Sequence, residues 1–153
     1  MITLKTGQEA PAFESVDQNG KAIKLSDYKG KKLILFFYPR DNTPTCTIEV
    51  CNLRDNYMAL QAAGYSLLGV SGDTQKKHQN FINKHSLPFP LLADETKEVI
   101  QKYGVFGQKK MFGKIKEGIF RTTFVINEKG IIDHVFAKVK SKDHAAQILN
   151  AAH

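Results

Sequence analysis

The sequence predicts an α/β fold in which helices flank a central, mixed β-sheet. The run at 32–38 is apolar throughout after Lys32, which is typical of a strand covered on both faces. Strand and helix patterns then alternate along the chain, followed by a hairpin pattern and a terminal helix. Because alternating elements favour parallel strand pairs and a hairpin adds antiparallel ones, both kinds of pairing are expected in one sheet.

Proline positions and helical spacing define the elements around the first strand. Pro39 ends that strand, and apolar residues recur at helical spacing over 44–63, where no Gly or Pro follows Pro44. Proline is accepted in the first turn of a helix, and Thr43 is the expected N-cap. The later elements are predicted as strands at 65–70 and 89–93, helices at 74–85 and 95–103, a long loop at 104–120, hairpin strands at 122–126 and 131–136, and a helix at 141–152.

Length and composition fit a single globular domain. The chain has 153 residues, of which 42% are hydrophobic, and no linker or repeat divides it, so one domain over 1–153 is expected. No apolar run approaches the roughly 20 residues of a membrane span. The first residues lack the apolar stretch of a secretory signal, which predicts a cytoplasmic protein with no membrane partner.

The net charge of +7 raises the question of an acidic partner. The basic residues are spread along the chain, and their densest cluster is limited to Lys109, Lys110, Lys114 and Lys116. No recognition-helix or zinc-finger pattern accompanies them. We therefore interpret the charge as a solvated basic surface and do not expect nucleic acid as a partner.

The position of Cys46 suits a reactive nucleophile. It falls in the first turn of the helix predicted at 44–63, where unpaired backbone N–H groups and the helix dipole favour negative charge. An ordinary thiol is only a few per cent ionised at neutral pH, and a nearby cation would increase the thiolate form. The alternative is a buried, inert cysteine of the kind common in protein cores.

The second cysteine, Cys51, lies five residues after Cys46. Five residues of continuous helix correspond to a rise of roughly 7.5 Å and about 500° of rotation, so the two thiols cannot bond while the helix is intact. The spacing therefore suits a reaction in two conformations and not the Cys-x-x-Cys motif of a disulfide exchanger. Metal binding would need more ligands, and no histidine shows a paired spacing with the cysteines.

Other residues near this helix start each allow two interpretations. Thr43 caps the helix, hydrogen-bonds at the thiolate, or does both, and Pro39 either ends the strand or also shields the thiolate. Glu49 is an ordinary early-helix acid or orients a cation. Arg121 opens a predicted strand, where it is either a surface arginine or a residue that only the tertiary fold could bring to Cys46.

The residues from Pro39 to Cys46 resemble the active-site pattern of the peroxiredoxins, with Pro39, then Thr43 four residues later and Cys46 three beyond. The spacing of Cys46 and Cys51 is similar to that of the Q-type, or bacterioferritin comigratory protein, subfamily. Further landmarks of the family are matched in the same order at 8–13, 69–73, 89–94, 109–114 and 118–124.

The resemblance implies a thioredoxin-like fold with an N-terminal addition. It also implies a thiol peroxidase that reduces hydrogen peroxide and organic hydroperoxides without metal, haem, flavin or nucleotide cofactors. The roles that it implies are peroxidatic cysteine for Cys46, resolving cysteine for Cys51, guanidinium beside the thiolate for Arg121, peroxide holder for Thr43, cover for Pro39 and support of the arginine for Glu49.

The same resemblance implies a catalytic cycle. A sulfenic acid on Cys46 is resolved by Cys51 as an intrachain disulfide, and thioredoxin or a similar dithiol reduces it. With both thiols in one chain, a monomer is expected to suffice. One departure from the pattern is Thr45, where the family usually has Gly before the peroxidatic cysteine.

Two other functions remain open from the residues alone. The thiols could form a disulfide slowly in a redox-controlled binding protein or sensor, in which an unwound helix recruits a partner. A general disulfide exchanger is disfavoured by the spacing of the cysteines.

Overall fold

The computed structural model describes residues 2–151 and confirms the α/β fold class. Its strands are β1 (Glu14–Val16), β2 (Ala22–Lys24), β3 (Lys32–Phe37), β4 (Tyr65–Ser71), β5 (Leu91–Ala93), β6 (Phe106–Met111), β7 (Lys114–Ile119), β8 (Thr122–Ile126) and β9 (Ile132–Phe136). Its α-helices are α1 (Pro44–Asp55), α2 (Tyr57–Ala62), α3 (Gln75–His85), α4 (Glu98–Lys102) and α5 (His144–Ala151). Short 3-10 turns occupy Leu25–Tyr28 and Ser141–Asp143.

The central sheet is mixed, as predicted, and has the strand order β5-β4-β3-β8-β9. The β3–β4 and β4–β5 pairs are parallel, whereas β3–β8 and β8–β9 are antiparallel. In the β3–β8 pair Phe37 lies opposite Thr122, so the end of β3 adjoins the beginning of β8. This pairing sets the location of the residues that follow β3 and precede β8.

Strand β3 carries apolar side chains into the core on both faces of the sheet. Leu33, Leu35 and Phe37 join one cluster of buried side chains, and Ile34 and Phe36 join the other. Successive side chains of a strand point to opposite faces, so an unbroken apolar run is required where both faces are covered. The second cluster also includes residues of α1, and α1 therefore packs on the face of the sheet that Ile34 and Phe36 supply.

The N-terminal addition is the β1–β2 hairpin. It is connected to the main fold by an isolated bridge between Asp17 and Leu92, and a second bridge joins Glu9 to Ile131. The N-terminal segment therefore contacts the β5 and β9 regions.

Two predicted helices differ from the structure in their extent. The helix expected over 44–63 is interrupted at Asn56, whose ψ of 12° departs from helical geometry and whose Nδ2 donates to the Asn52 carbonyl at 2.8 Å. The Asn56 N–H still donates to the same carbonyl at 3.2 Å, so the side-chain bond adds to the helical one and does not replace it. The helix expected over 95–103 is shorter because Lys97, at its N-cap, is left-handed with a φ of 62°.

The prediction of a long loop at 104–120 is wrong. Strands β6 and β7 form a two-stranded antiparallel hairpin there. Its turn is Phe112–Gly113, with φ values of 54° and 76°, which is the positive-φ geometry of a tight hairpin. The lysines of these strands obscured the pattern because strand propensity is weak where side chains stay exposed.

The other predicted elements are confirmed to within a few residues. Thr74 caps α3 by accepting a hydrogen bond from the Lys77 N–H. The predicted terminal helix begins as a 3-10 turn, and its last predicted residue, Ala152, lies outside the described residues. Within residues 2–151, no helix combines the length and the apolar character that crossing a bilayer requires.

Candidate active site

The site is built where β3 ends and α1 begins. A loop after β3 leads to Pro44, the first residue of α1, and Cys46 follows in the first helical turn, as predicted. The Cys46 side chain is buried, with only 1% of the residue exposed, and its thiol is free. Burial alone disfavours a thiolate, so this position needs a source of positive charge if the sulfur is to react as an anion.

That positive charge comes from Arg121, which directly precedes β8. Arg121 Nη2 donates to Cys46 Sγ at 3.3 Å. The two residues are 75 positions apart in the sequence and meet because β8 pairs with β3. A guanidinium in contact with a sulfur at a helix start favours the thiolate over the thiol.

Glu49 holds the other side of the same guanidinium. Arg121 Nη1 donates to Glu49 Oε1 at 2.6 Å, and the Glu49 side chain is fully buried. Glu49 is three residues after Cys46, so both side chains project from the same face of α1. Burial raises the pKa of Glu49 to about 7, against the opposing attraction of Arg121.

The residues of the loop before α1 have more limited contacts. Thr43 occupies the N-cap position, but its side chain makes no capping bond; Oγ1 donates to the Arg40 carbonyl at 3.0 Å instead. Pro39 is half-buried and follows Tyr38 immediately after the strand. Thr43 and Pro39 thus lie on the segment that connects β3 to the helix carrying Cys46.

Cys51 lies in the same unbroken helix as Cys46, and its thiol is also free. Its side chain is half-buried, and Sγ lies 3.7 Å from Nδ1 of His85 at the end of α3. The structure therefore brings Arg121 and Glu49 to Cys46, while Cys51 faces a different helix. The two thiols are not joined in this conformation.

Comparisons with known proteins identify the family. The AhpC/TSA family profile matches residues 6–135. A putative peroxiredoxin bcp of Coxiella burnetii is 46% identical over 148 residues, which cover 97% of this chain and 98% of that protein. The chain belongs to the AhpC/TSA family of peroxiredoxins. Peroxiredoxin Bcp of Bacillus subtilis is 44% identical over 148 residues, 97% of this chain and 94% of its own.

A solved structure of the same type supports the fold. Xanthomonas campestris bacterioferritin comigratory protein, studied for its alkyl peroxide reduction activity, matches with a TM-score of 0.85 and 33% identity, covering 91% of this chain and 88% of its own. These likenesses confirm the Q-type resemblance and the thioredoxin-like fold. This peroxiredoxin is therefore a thiol-dependent peroxidase, which acts on a peroxide and needs a thiol reductant.

The peroxiredoxin also has a buried polar network that anchors its active-site loop and that no sequence pattern predicts. Tyr38 donates to Asp41 Oδ1 at 2.5 Å, and His78 Nδ1 meets Asp41 Oδ2 at 2.6 Å. The Asp41 backbone N–H donates to Asp73 Oδ2 at 2.8 Å. These bonds fix the loop to α3 and to the end of β4. The bonds of Asp41 to Asp73 and His78 could not be predicted from a local pattern, because they join residues 32 and 37 positions apart.

The same network contains the one group of potential metal ligands among residues 2–151, formed by Asp41, Asp73 and His78. The atoms that could bind a metal already make hydrogen bonds. Asp41 Oδ2 pairs with His78 Nδ1, and Asp73 Oδ2 accepts from Ser71 Oγ and the Asp41 N–H. The network is thus satisfied by its own hydrogen bonds and is best described as a support for the loop.

A second cation, Lys109 in β6, lies near enough to Arg121 and Cys46 for their charges to act on it. Burial, together with the positive charge of Arg121, lowers the pKa of Lys109, and the charge of Cys46 opposes this effect. Its ammonium lies 5.8 Å from the centroid of the Phe120 ring. The sequence pattern predicts Lys109 as part of a solvated cluster. The β6–β7 hairpin instead places its ammonium over Phe120, the residue before Arg121.

Replacing Glu49 by Gln is expected to remove a pH-dependent loss of stability. Because burial raises the pKa of Glu49 from 4.5 to about 7, the folded protein binds this proton more tightly than the unfolded chain does. The free energy of unfolding contributed by Glu49 therefore falls as the pH rises from about 4.5 to about 7, by up to about 3 kcal/mol. Urea unfolding at pH 5 and pH 8 measures the difference between the two proteins.

The free energy of unfolding of Glu49→Gln should increase relative to that of wild type between pH 5 and pH 8. Glu117→Gln, at an exposed carboxyl of β7, is the matched control for loss of one charge. An equal difference between wild type and Glu49→Gln at both pH values would contradict the prediction. It would mean that the attraction of Arg121 cancels the effect of burial on the pKa of Glu49.

Proposed function

We propose that this peroxiredoxin reduces hydrogen peroxide and organic hydroperoxides with Cys46 as the nucleophile and Cys51 as the thiol that completes the cycle. The observation that carries the proposal is the contact of 3.3 Å between Arg121 Nη2 and the buried Cys46 Sγ at the start of α1. Organic hydroperoxides are included because the Xanthomonas campestris relative is described with an alkyl peroxide reduction activity.

In the first step the Cys46 thiolate attacks one peroxide oxygen. A new S–O bond forms, the O–O bond breaks, and the second oxygen leaves as water or an alcohol after taking a proton. The product on the enzyme is a sulfenic acid. Charge moves from sulfur along the S–O–O line during this step, so the Arg121 guanidinium and the free N–H groups of α1 stabilise the transition state by lying in position beforehand.

The residues around this pair have supporting roles in the proposal. Glu49 fixes the orientation of the Arg121 guanidinium by accepting from Nη1, so that Nη2 faces Cys46. Thr43 lies one turn before Cys46 and offers a hydroxyl to the peroxide, and Pro39 covers the site from the loop. The network of Asp41 and its partners holds that loop in place.

In the second step Cys51 attacks the Cys46 sulfenic sulfur, and water leaves. The sulfurs are separated by more than one turn of α1, so its first turns must unwind before the disulfide forms. The reductant we propose for this disulfide is thioredoxin or a similar dithiol. Because one chain supplies both thiols, a monomer suffices for the cycle.

Mass spectrometry after one equivalent of hydrogen peroxide tests this proposal. The wild-type chain should lose two hydrogens within a single chain, with the Cys46 and Cys51 peptides linked. In Cys51→Ser, the Cys46 peptide should instead carry a sulfenic acid that a sulfenic-specific reagent traps. A wild-type product linked between two chains, or oxidation of Cys51 with Cys46 untouched, would refute the assignment.

A further inference from the structure

The contact between Cys51 and His85 has no role in the steps above. His85 is the last residue of α3, and its Nδ1 lies 3.7 Å from Cys51 Sγ, within the range of a hydrogen bond to sulfur. Both side chains are half-buried, so the pair is neither sealed in the core nor fully solvated. At this distance the thiol can donate its proton and the imidazole can accept it.

Two further contacts hold the imidazole in this position. Arg54, one helical turn after Cys51, donates from Nη1 to the His85 carbonyl at 2.8 Å. That carbonyl is one of the unpaired groups at a helix C-terminus, so Arg54 anchors the end of α3 to α1. The His85 ring also packs edge-on against Phe81, with centroids 5.2 Å apart.

Burial and nearby positive charges both lower the pKa of His85 and so favour the neutral imidazole. Partial burial lowers the pKa of His85, and the positive charges of Lys84 and Arg54 lower it further. Arg54 is itself paired with Asp55 at 2.9 Å. A neutral imidazole with its proton on Nε2 presents a lone pair on Nδ1, which is the atom that faces Cys51.

We infer that His85 is a further catalytic residue, the base that accepts the Cys51 thiol proton when Cys51 resolves oxidised Cys46. This inference rests on the proposed function, since it concerns the second step of that cycle. With His85 as the base, the contact made while α1 is folded places a proton acceptor beside a thiol that must lose its proton before it attacks. A thiol without such a partner is only a few per cent ionised at neutral pH.

The step balances without any added reagent. The Cys51 S–H bond breaks, the proton passes to His85 Nδ1, and the sulfur electron pair forms the S–S bond. The S–O bond of the Cys46 sulfenic acid breaks with its electron pair on oxygen, which leaves as water once it has taken up one proton. The imidazolium returns its proton to the solvent, so a thiol and a sulfenic acid yield one disulfide and one water.

Single-turnover kinetics of disulfide formation between pH 6 and pH 9 test the inference. Cys46 is oxidised with one equivalent of hydrogen peroxide, the reaction is stopped with acid at intervals, and linked peptides are quantified by mass spectrometry. In His85→Asn the linkage should form at least about tenfold more slowly at pH 6.5, and the deficit should disappear near pH 9, where an ordinary thiol ionises unaided.

Controls separate a base from a packing residue. His85→Phe retains a ring against Phe81 without a base and should reproduce the pH-dependent deficit of His85→Asn. His134→Asn, the same change on β9, should leave the rate unchanged. The rate of the preceding Cys46 oxidation should be the same in all of these proteins.

The outcomes distinguish this inference from the proposed function. If the Cys46–Cys51 linkage never forms in the wild type, the proposed function fails and the role of His85 fails with it. If the linkage forms but the variants match wild type at pH 6.5, or are slowed by the same factor at every pH, only the assignment of His85 is overturned.

Discussion

Peroxide reduction by Cys46→Ser is expected to fall to the level of the uncatalysed reaction between peroxide and the reductant. Serine keeps the size and place of the side chain in the first turn of α1, but its hydroxyl is not ionised at neutral pH and is a poor nucleophile toward peroxide oxygen. Arg121 then has no thiolate beside it to stabilise. The measurement is peroxide consumption at saturating dithiol, with protein in large excess over trace metals.

Cys51→Ser is the matched control because it makes the same substitution five residues further along α1. It should still consume one equivalent of peroxide at the wild-type rate while failing in rapid recycling by thioredoxin. If Cys46→Ser retained turnover and Cys51→Ser lost the first equivalent, the roles of the two cysteines would be reversed.

Arg121→Met is expected to lower kcat/KM for hydrogen peroxide by about 10²–10³-fold. The substitution removes the donor that lies 3.3 Å from Cys46 Sγ. Loss of one donor positioned at developing charge typically costs a factor of this size, about 3–4 kcal/mol of transition-state stabilisation. The chain has no tryptophan, so quenched-flow alkylation of the remaining Cys46 thiol is the suitable measurement.

The effect on catalysis must be separated from the effect on folding. Removing Arg121 leaves the buried Glu49 without its partner, and that loss destabilises the protein. The double variant Arg121→Met with Glu49→Gln restores stability without restoring the cation, so it should remain slow. Arg121→Lys keeps the charge but not the two-pronged geometry, and we expect an intermediate rate. A double variant that recovered the wild-type rate would contradict a direct role of Arg121.

Most of the central sheet could be predicted because its signals are local. The apolar run of β3 and the hairpin of β8 and β9 are visible in neighbouring residues and occur where they were expected. The β6–β7 hairpin was missed because its lysine-bearing strands form outside the core, where apolar periodicity is absent. The break at Asn56 was missed because no Gly or Pro after Pro44 marks it within residues 44–63.

The sequence by itself determined the α/β class, the helix start that holds Cys46 and the separation of the two thiols, because each depends on residues a few positions apart. Only the tertiary structure decided which cation meets the sulfur. Strand pairing of β8 with β3 brings Arg121 across 75 residues, and the packing of α3 on α1 brings His85 across 34. Contacts over such separations depend on how complete elements pack together, which no local pattern of side chains encodes.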